Sequence, residues 1–164
     1  MMISTIVPTL ILLAGVIDDV TTRKVHNTLA IIGLGVGGTY AYFYGGVDQL
    51  AIGFLAMLLV LGLYVPLFMF KILGGGDLKI MLGFAISTNW QTVLSVTISA
   101  MIWALVLGLV RAGLDKKLLN IFKNILQMIS TKNPVAPEKL NRIPMTVALF
   151  FGWMSHLAAN RGQL

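Results

Sequence analysis

The chain has 164 residues, of which 57% are hydrophobic and 11% are charged, and its mean hydropathy is +0.89. A soluble domain of this length cannot cover so much apolar surface with so few charges, so the composition predicts a protein whose solvent is lipid. The absence of cysteine excludes disulfides, thiolate zinc sites and thiol catalysis. With only two histidines we expect no metal site and no other cofactor.

Six apolar runs predict an all-α, polytopic membrane protein with about six transmembrane helices. The runs cover residues 3–17, 28–44, 50–70, 80–86, 92–110 and 143–159. We interpret the first run as a retained span rather than a secretory signal, because no Lys or Arg precedes it and no small-x-small cleavage site follows it. We expect a single domain over residues 1–164, with the basic loop 111–142 inside it.

The basic residues predict the orientation of these helices. Eleven of the twelve Lys and Arg fall in the alternate connections 18–27, 71–79 and 111–142, and none falls in 45–49 or 87–91. The positive-inside rule therefore predicts that the three basic connections face the cytoplasm and that both termini lie outside the inner (plasma) membrane. Because the net charge of +6 is explained by topology, we expect no nucleic-acid partner.

The long basic connection contains an amphipathic pattern. Its apolar residues follow helical spacing, at Leu114, Leu118, Ile121, Ile125 and Ile129, and lysines fill the opposite face. This pattern predicts a helix in the cytoplasmic interface, in contact with membrane lipids. A helix packed against the rest of the protein is an equally good interpretation.

The six acidic residues supply the candidates for chemistry. Solvated positions are expected for Asp48, Asp115 and Glu138, whereas Asp18, Asp19 and Asp77 lie at helix ends beside the membrane. Ionisable groups there are costly, which makes them functional candidates. Two predicted spans separate Asp19 from Asp77, one leaving the cytoplasmic side and one returning, so both carboxylates are expected at the same membrane face.

Two carboxylates that share one water form an acid/base pair for amide hydrolysis. One takes a proton from the attacking water, and the other donates a proton toward the carbonyl oxygen. Like charges held close cannot easily both ionise, so such a pair is expected to titrate as a coupled unit. Residues 74–76, all glycine, allow positive φ and close approach of a substrate beside Asp77. The alternative is a glycine-rich helix break.

Three segments resemble the prepilin peptidases, a branch of the GxGD intramembrane aspartic proteases. Residues 74–79, Gly-Gly-Gly-Asp-Leu-Lys, match the Gly-x-Gly-Asp-x-Lys signature of that family. Residues 19–27 match its first motif, an Asp followed six residues later by Ile-Pro-Asn, here Val-His-Asn. Residues 143–145, Ile-Pro-Met, resemble the start of its last helix. The segments occur in the family's order and span nearly the whole chain.

The resemblance implies that Asp19 and Asp77 are the catalytic pair, with Gly74, Gly76, Lys79 and Asn27 in support. It implies removal of a short basic leader from pilin-like precursors at the cytoplasmic edge of the membrane. Larger bifunctional members carry a domain with paired Cys-x-x-Cys motifs and also N-methylate the product. This cysteine-free chain is similar to the small peptidase-only members that serve tight-adherence (Flp-type) pili. A second copy of the chain, in a homo-oligomer, is a further partner that the sequence allows.

Individual residues carry further expectations. His26 stands where the family usually has proline, which removes a fixed φ from the loop; we interpret it as a polar loop residue rather than a group that tunes the pair. Asp18 is the rival of Asp19 and is expected to pair with Arg23 or Lys24, or to lie in the interface. We interpret Lys79 as an accessory group that steadies negative charge or reaches the headgroups. His156 is interpreted as a hydrogen-bonded packing residue.

Two other functions fit part of the pattern. A protease of the presenilin or signal-peptide-peptidase type shares the GxGD feature, but such proteins are larger and their Pro-Ala-Leu motif is missing from this sequence. A non-enzymatic membrane component, either a small transporter or a pilus-assembly scaffold, would use the membrane carboxylates to bind protons or a partner. Substitution of the aspartates by Asn separates the second alternative from a peptidase.

Overall fold

The computed structural model describes residues 3–22, 25–70, 73–114 and 145–160. Within those ranges the chain is helical and contains no strand, which confirms the all-α prediction. The helices are α1 (Ile3–Thr22), α2 (Asn27–Met69), α3 (Gly75–Ile86), α4 (Trp90–Leu114) and α5 (Met145–Ala159). The predicted interfacial helix falls, after Leu114, outside the described residues and stays a prediction.

Helix α2 contains both the second and the third predicted apolar runs. Its 43 residues would extend about 65 Å in a straight helix, roughly twice the thickness of a membrane's hydrocarbon core. The helix is broken at Gly45 (φ −142°, ψ 17°) and Gly46 (φ 67°, ψ −153°). Gly46 is the only described glycine with a positive φ, a conformation that a Cβ disfavours. These two glycines make the turn that the sequence predicts between the two runs.

The two halves of α2 run in opposite directions along α3. The first half lies parallel to α3, because its early residues contact the start of α3 and its later residues contact the end. The second half lies antiparallel to α3. The contacts are Val25–Gly76 and Gly33–Gly83 on the first side and Phe68–Gly75 and Gly53–Ile86 on the second. Helix α2 is therefore a helical hairpin that encloses α3.

Glycines bring these helices into backbone contact. A Cβ on Gly83 would lie 3.0 Å from the carbonyl carbon of Gly33, and a Cβ on Gly37 would lie 2.7 Å from the carbonyl oxygen of Gly83. On the other half of α2, Gly53 faces the carbonyl of Ile86 at similarly close range. Small residues permit such close approach between helices in lipid, where packing rather than the hydrophobic effect holds helices together.

The distribution of apolar side chains is that of a membrane protein. Ile80, Met81 and Phe84 of α3 are buried in the core, whereas Phe43 and Met69 of α2 are 82% and 75% exposed. Among the described helices, α1, α2 and α4 are long and apolar enough to cross a membrane. This pattern is that of an integral membrane protein. Helices α3 and α5 have 12 and 15 residues, fewer than the ~20 of a full span, so six crossings stay a prediction.

The chain divides into two compact units. The first comprises Met1–Trp103 and Pro144–Leu164, and the second comprises Ala104–Ile143. In the second unit the structure describes residues 104–114, the last turns of α4, where large apolar side chains such as Leu105 and Leu109 are exposed. The candidate site lies entirely within the first unit.

Candidate active site

Asp77 lies in the first turn of α3 and is only 5% exposed. Its Oδ2 accepts a 3.1 Å hydrogen bond from the backbone N–H of Gly74, the extended residue (φ −80°, ψ 149°) that precedes the helix. A carboxylate in this position caps the helix and interacts favourably with the positive end of its dipole. The glycine-rich segment therefore forms the beginning of α3, and Asp77 lies in the first turn of that helix.

The three glycines before Asp77 pack closely against other parts of the protein. None of them has the positive φ that glycine allows. A Cβ on Gly76 would lie 2.7 Å from Cγ2 of Val25, and a Cβ on Gly75 would lie 3.3 Å from Cε2 of Phe68. Val25 lies two residues before α2, and Phe68 lies in its last turn. The glycines therefore allow both ends of α2 to pack against the start of α3. The expected close approach of a substrate stays a prediction.

Asp19 lies near the end of α1, three residues before Thr22, the last residue of that helix. Its Oδ2 accepts a 2.7 Å hydrogen bond from the hydroxyl of Thr146, which lies in the first turn of α5 and is 1% exposed. The sequence analysis did not identify Thr146. Only its position directly after the resembling segment 143–145 could have drawn attention to it, since a buried Thr in an apolar helix carries no distinctive pattern.

The packing of α1 on α3 brings Asp19 and Asp77 together. Gly15 of α1 lies against the side chain of Ile80 of α3. Asp19 is four residues after Gly15 and Asp77 is three residues before Ile80, which is about one helical turn along the same face in each helix. Both steps lead toward the same end of the bundle, because the connection between α1 and α2 contacts the start of α3. Asp19 and Asp77 therefore lie on the facing sides of α1 and α3, at the end of the bundle where α1 ends and α3 begins.

The predicted supporting residues are placed differently from one another. Gly74 and Gly76 both lie just before the buried acid in the chain, and the backbone N–H of Gly74 donates a hydrogen bond to it. Lys79 lies two residues further along α3 and is partly exposed, and Asn27 is the exposed first residue of α2. Within the described part of the chain, neither Lys79 nor Asn27 forms a hydrogen bond or ion pair with either aspartate.

Asp18 has a partner that the sequence analysis did not predict. Its Oδ2 accepts a 2.8 Å hydrogen bond from the backbone N–H of His26, and its Oδ1 lies 2.9 Å from Nδ1 of the same residue. The expected pairing of Asp18 with Arg23 or Lys24 falls on residues outside the described ranges. Two features of the sequence could have indicated this contact: a second carboxylate directly before Asp19, and a histidine at the position where the family usually has proline.

Other polar side chains lie away from the two aspartates. Nδ1 of His156 lies 2.9 Å from the hydroxyl of Ser95, and its ring stacks on Trp153 with centroids 5.6 Å apart, which fits the interpretation of a hydrogen-bonded packing residue. Among the residues that the structure describes, no three His, Cys, Asp or Glu side chains are grouped so that they could hold a metal ion.

Comparison with known proteins adds a family to this geometry. A model of the type IV leader peptidase family matches residues 6–109, which include most of α1, all of α2 and α3, and both predicted aspartate motifs. No curated protein and no solved structure matches the chain. The family match covers more than half of the chain and implies a peptidase that acts on prepilin leaders. The chain belongs to the type IV leader peptidase family.

Proposed function

We propose that the protein is an intramembrane aspartic endopeptidase that removes the short basic leader from type IV prepilin-like precursors. Asp19 and Asp77 are its catalytic pair. The observation that carries the proposal is that α1 and α3 contact each other at Gly15 and Ile80, and that each acid lies about one turn from this contact in the same direction. A pair of carboxylates that share one water can supply the base and the acid for amide hydrolysis.

The proposed reaction uses one ionised and one protonated carboxyl group. The ionised group removes a proton from water as the water oxygen forms a bond to the carbonyl carbon of the scissile amide. The protonated group donates its proton to the carbonyl oxygen, which gives a neutral gem-diol. Collapse of this intermediate breaks the C–N bond, and the departing nitrogen takes up the proton that the first carboxylate had accepted. The second carboxylate takes a proton back from one gem-diol hydroxyl as the C=O bond re-forms. Each group is thereby returned to its starting state.

The proposed location of the reaction is the cytoplasmic face of the inner membrane. The reversal of α2 at Gly45 and Gly46 supports two crossings within that helix, and the basic connections support the orientation. Six spans, external termini and an interfacial helix on the cytoplasmic lipid surface complete the proposed topology. A substrate with a basic leader would present its cleavage site at this same face.

The proposed substrates are pilin-like precursors of the kind that peptidase-only enzymes process for tight-adherence pili. The absence of cysteine supports this assignment over the bifunctional type, whose additional domain carries paired Cys-x-x-Cys motifs. Neither a metal nor a cofactor takes part in the proposed reaction.

The test is cleavage of candidate prepilins by purified protein in detergent or liposomes, with N-terminal sequencing of the product. We expect one new N-terminus at the end of the basic leader, and no product with Asp19→Asn or Asp77→Asn. A protein that binds prepilin or assembles into a pilus complex equally well with both substitutions, and releases no leader, would be a scaffold or transporter instead.

A further inference from the structure

His26 has the backbone conformation of a proline without being one. It precedes α2 with φ −67° and ψ 143°, and a proline ring restricts φ to about −65°. A residue with an unrestricted φ in a polar connection loses conformational freedom when it is held at one value. Some interaction must therefore offset that loss at His26, and the structure contains one.

The carboxylate of Asp18 holds both the backbone and the side chain of His26. Its Oδ2 accepts from the backbone N–H at 2.8 Å, and Nδ1 of the imidazole lies 2.9 Å from Oδ1 and 3.1 Å from Oδ2. An ionised carboxylate only accepts hydrogen bonds, so Nδ1 carries the proton in this arrangement. The N–H that is used here is the group that a proline lacks. The side chain of Asp18 is 16% exposed while that of His26 is 61% exposed, so the contact lies at the edge of the bundle.

This contact connects the two aspartate motifs. Asp18 directly precedes Asp19 at the end of α1. His26 directly follows Val25, whose side chain is buried and packs on Gly76, and Gly76 directly precedes Asp77. The connection between the two proposed catalytic acids is therefore closed by a single carboxylate–histidine contact, and the carboxylate of that contact belongs to the residue next to Asp19.

We infer that Asp18 and His26 form a positioning pair that fixes the α1–α2 connection, and through Val25 the start of α3, so that Asp19 and Asp77 stay in register. Neither residue of the pair touches the substrate. The inference rests on the proposed peptidase function. It assigns His26 a role that the interpretation as a polar loop residue did not include, and it explains why the chain tolerates a histidine at this position.

The first test measures kcat and KM for prepilin cleavage in variants of the pair. His26→Ala and Asp18→Ala should each lower kcat, by up to about a hundredfold if the acids move by ~1 Å, while KM changes little. His26→Pro should recover most of the lost rate, because the ring supplies the same φ without Asp18. In the His26→Pro background, Asp18→Ala should then have little further effect. Asp48→Asn removes a carboxylate beside the turn of α2 and serves as the control.

The second test does not need activity. Thermal unfolding of the four proteins of the Asp18→Ala/His26→Ala cycle should show non-additive changes in Tm, because both single variants remove the same carboxylate–imidazole contact, while the backbone hydrogen bond to Asp18 is lost only with Asp18→Ala. Additive Tm changes, or an Asp18→Ala effect on kcat that is unchanged by His26→Pro, would overturn the inference. If the wild-type protein cleaved no prepilin, the proposed function would fail, and the thermal cycle alone would decide whether the pair exists.

Discussion

Thr146 donates a 2.7 Å hydrogen bond from its hydroxyl to Oδ2 of Asp19, across 127 positions of sequence. The hydroxyl is buried at the start of α5, while the acid belongs to the end of α1. A hydrogen bond to a carboxylate is stronger than one between neutral groups and restricts the orientation of the acid. Helix α5 therefore contributes to the geometry of the proposed catalytic pair, although the matched family region ends at residue 109.

Replacement of Thr146 by Val should lower the cleavage rate about tenfold or more, since a hydrogen bond to a charged group is worth about 1.5–3 kcal/mol and 1.4 kcal/mol corresponds to a tenfold change. Val keeps the branched shape but removes the donor, so the loss should appear mainly in kcat. Thr146→Ser, which keeps the hydroxyl, is the matched control. Equal activity of the Ser and Val variants would show that the hydrogen bond does not serve catalysis.

Asp19→Asn and Asp77→Asn should each reduce cleavage below detection while membrane insertion and abundance stay near normal. The amide has the size of the acid but cannot exchange a proton, and general acid–base catalysis contributes roughly 10²–10⁴-fold to a rate. Asp18→Asn is the matched control and should cost much less, since its amide oxygen can still accept from the N–H of His26. Near-wild-type turnover in either of the first two variants would rule out a two-carboxylate mechanism.

Alanine substitutions should separate the three glycines before Asp77. At Gly76 the new Cβ would lie 2.7 Å from Cγ2 of Val25, so the start of α3 or the α1–α2 connection must move. At Gly75 it would meet the ring of Phe68 at 3.3 Å, which that partly exposed side chain can accommodate. We therefore expect a loss of up to about a hundredfold for Gly76→Ala, if the acid is displaced by ~1 Å, and a small loss for Gly75→Ala.

Gly74→Ala tests the hydrogen bond to the acid, because the new Cβ would lie 3.1 Å from Oδ2 of Asp77. The measurement for all three variants is cleavage rate per folded enzyme, with Tm recorded alongside. Valine at Gly74 or Gly76 should be more damaging than alanine. If activity fell only in proportion to the folded fraction, the glycines would serve folding alone, and equal sensitivity at all three positions would contradict the Gly-x-Gly-Asp register.

The topology can be tested by single-cysteine labelling, because the native chain contains no cysteine. Asp48→Cys, beside the exposed turn of α2, should react with a membrane-impermeant maleimide in intact cells. A cysteine at Lys132, within the basic connection 111–142, should react only after the membrane is opened. Labelling of the second variant in intact cells would overturn the predicted orientation, and with it the cytoplasmic location of the acids.

The sequence predicted the helical class and the two acids more readily than the contacts around them. Apolar runs and charge alternation are properties of segments, so they can be read without tertiary structure. The pairing of Asp19 with Asp77 followed from counting spans between two motifs. By contrast, the bond from Thr146 depends on how α5 packs against α1, and no local pattern encodes that packing.

The glycine motif shows the same division between local and tertiary information. The sequence indicated that residues 74–76 allow positive φ and the close approach of a substrate, whereas the structure shows none of them with a positive φ and shows close packing against the protein's own side chains. A positive φ occurs instead at Gly46, where the chain reverses. Whether a glycine is needed for its own backbone angle or for a neighbour's approach depends on what packs against it, here Val25 and Phe68.

The backbone contacts between α2 and α3 have a consequence for genetics. A Cβ added at Gly83 would meet the backbone of Gly33, and one added at Gly53 would meet the backbone of Ile86, so no change of rotamer could absorb the added methyl group. A substitution at Gly53 or Gly83 should therefore shift α3 relative to α2, and α3 carries Asp77. A random-mutagenesis screen for loss of leader cleavage should recover substitutions at these two glycines, away from the acids in sequence, in protein that still accumulates in the membrane.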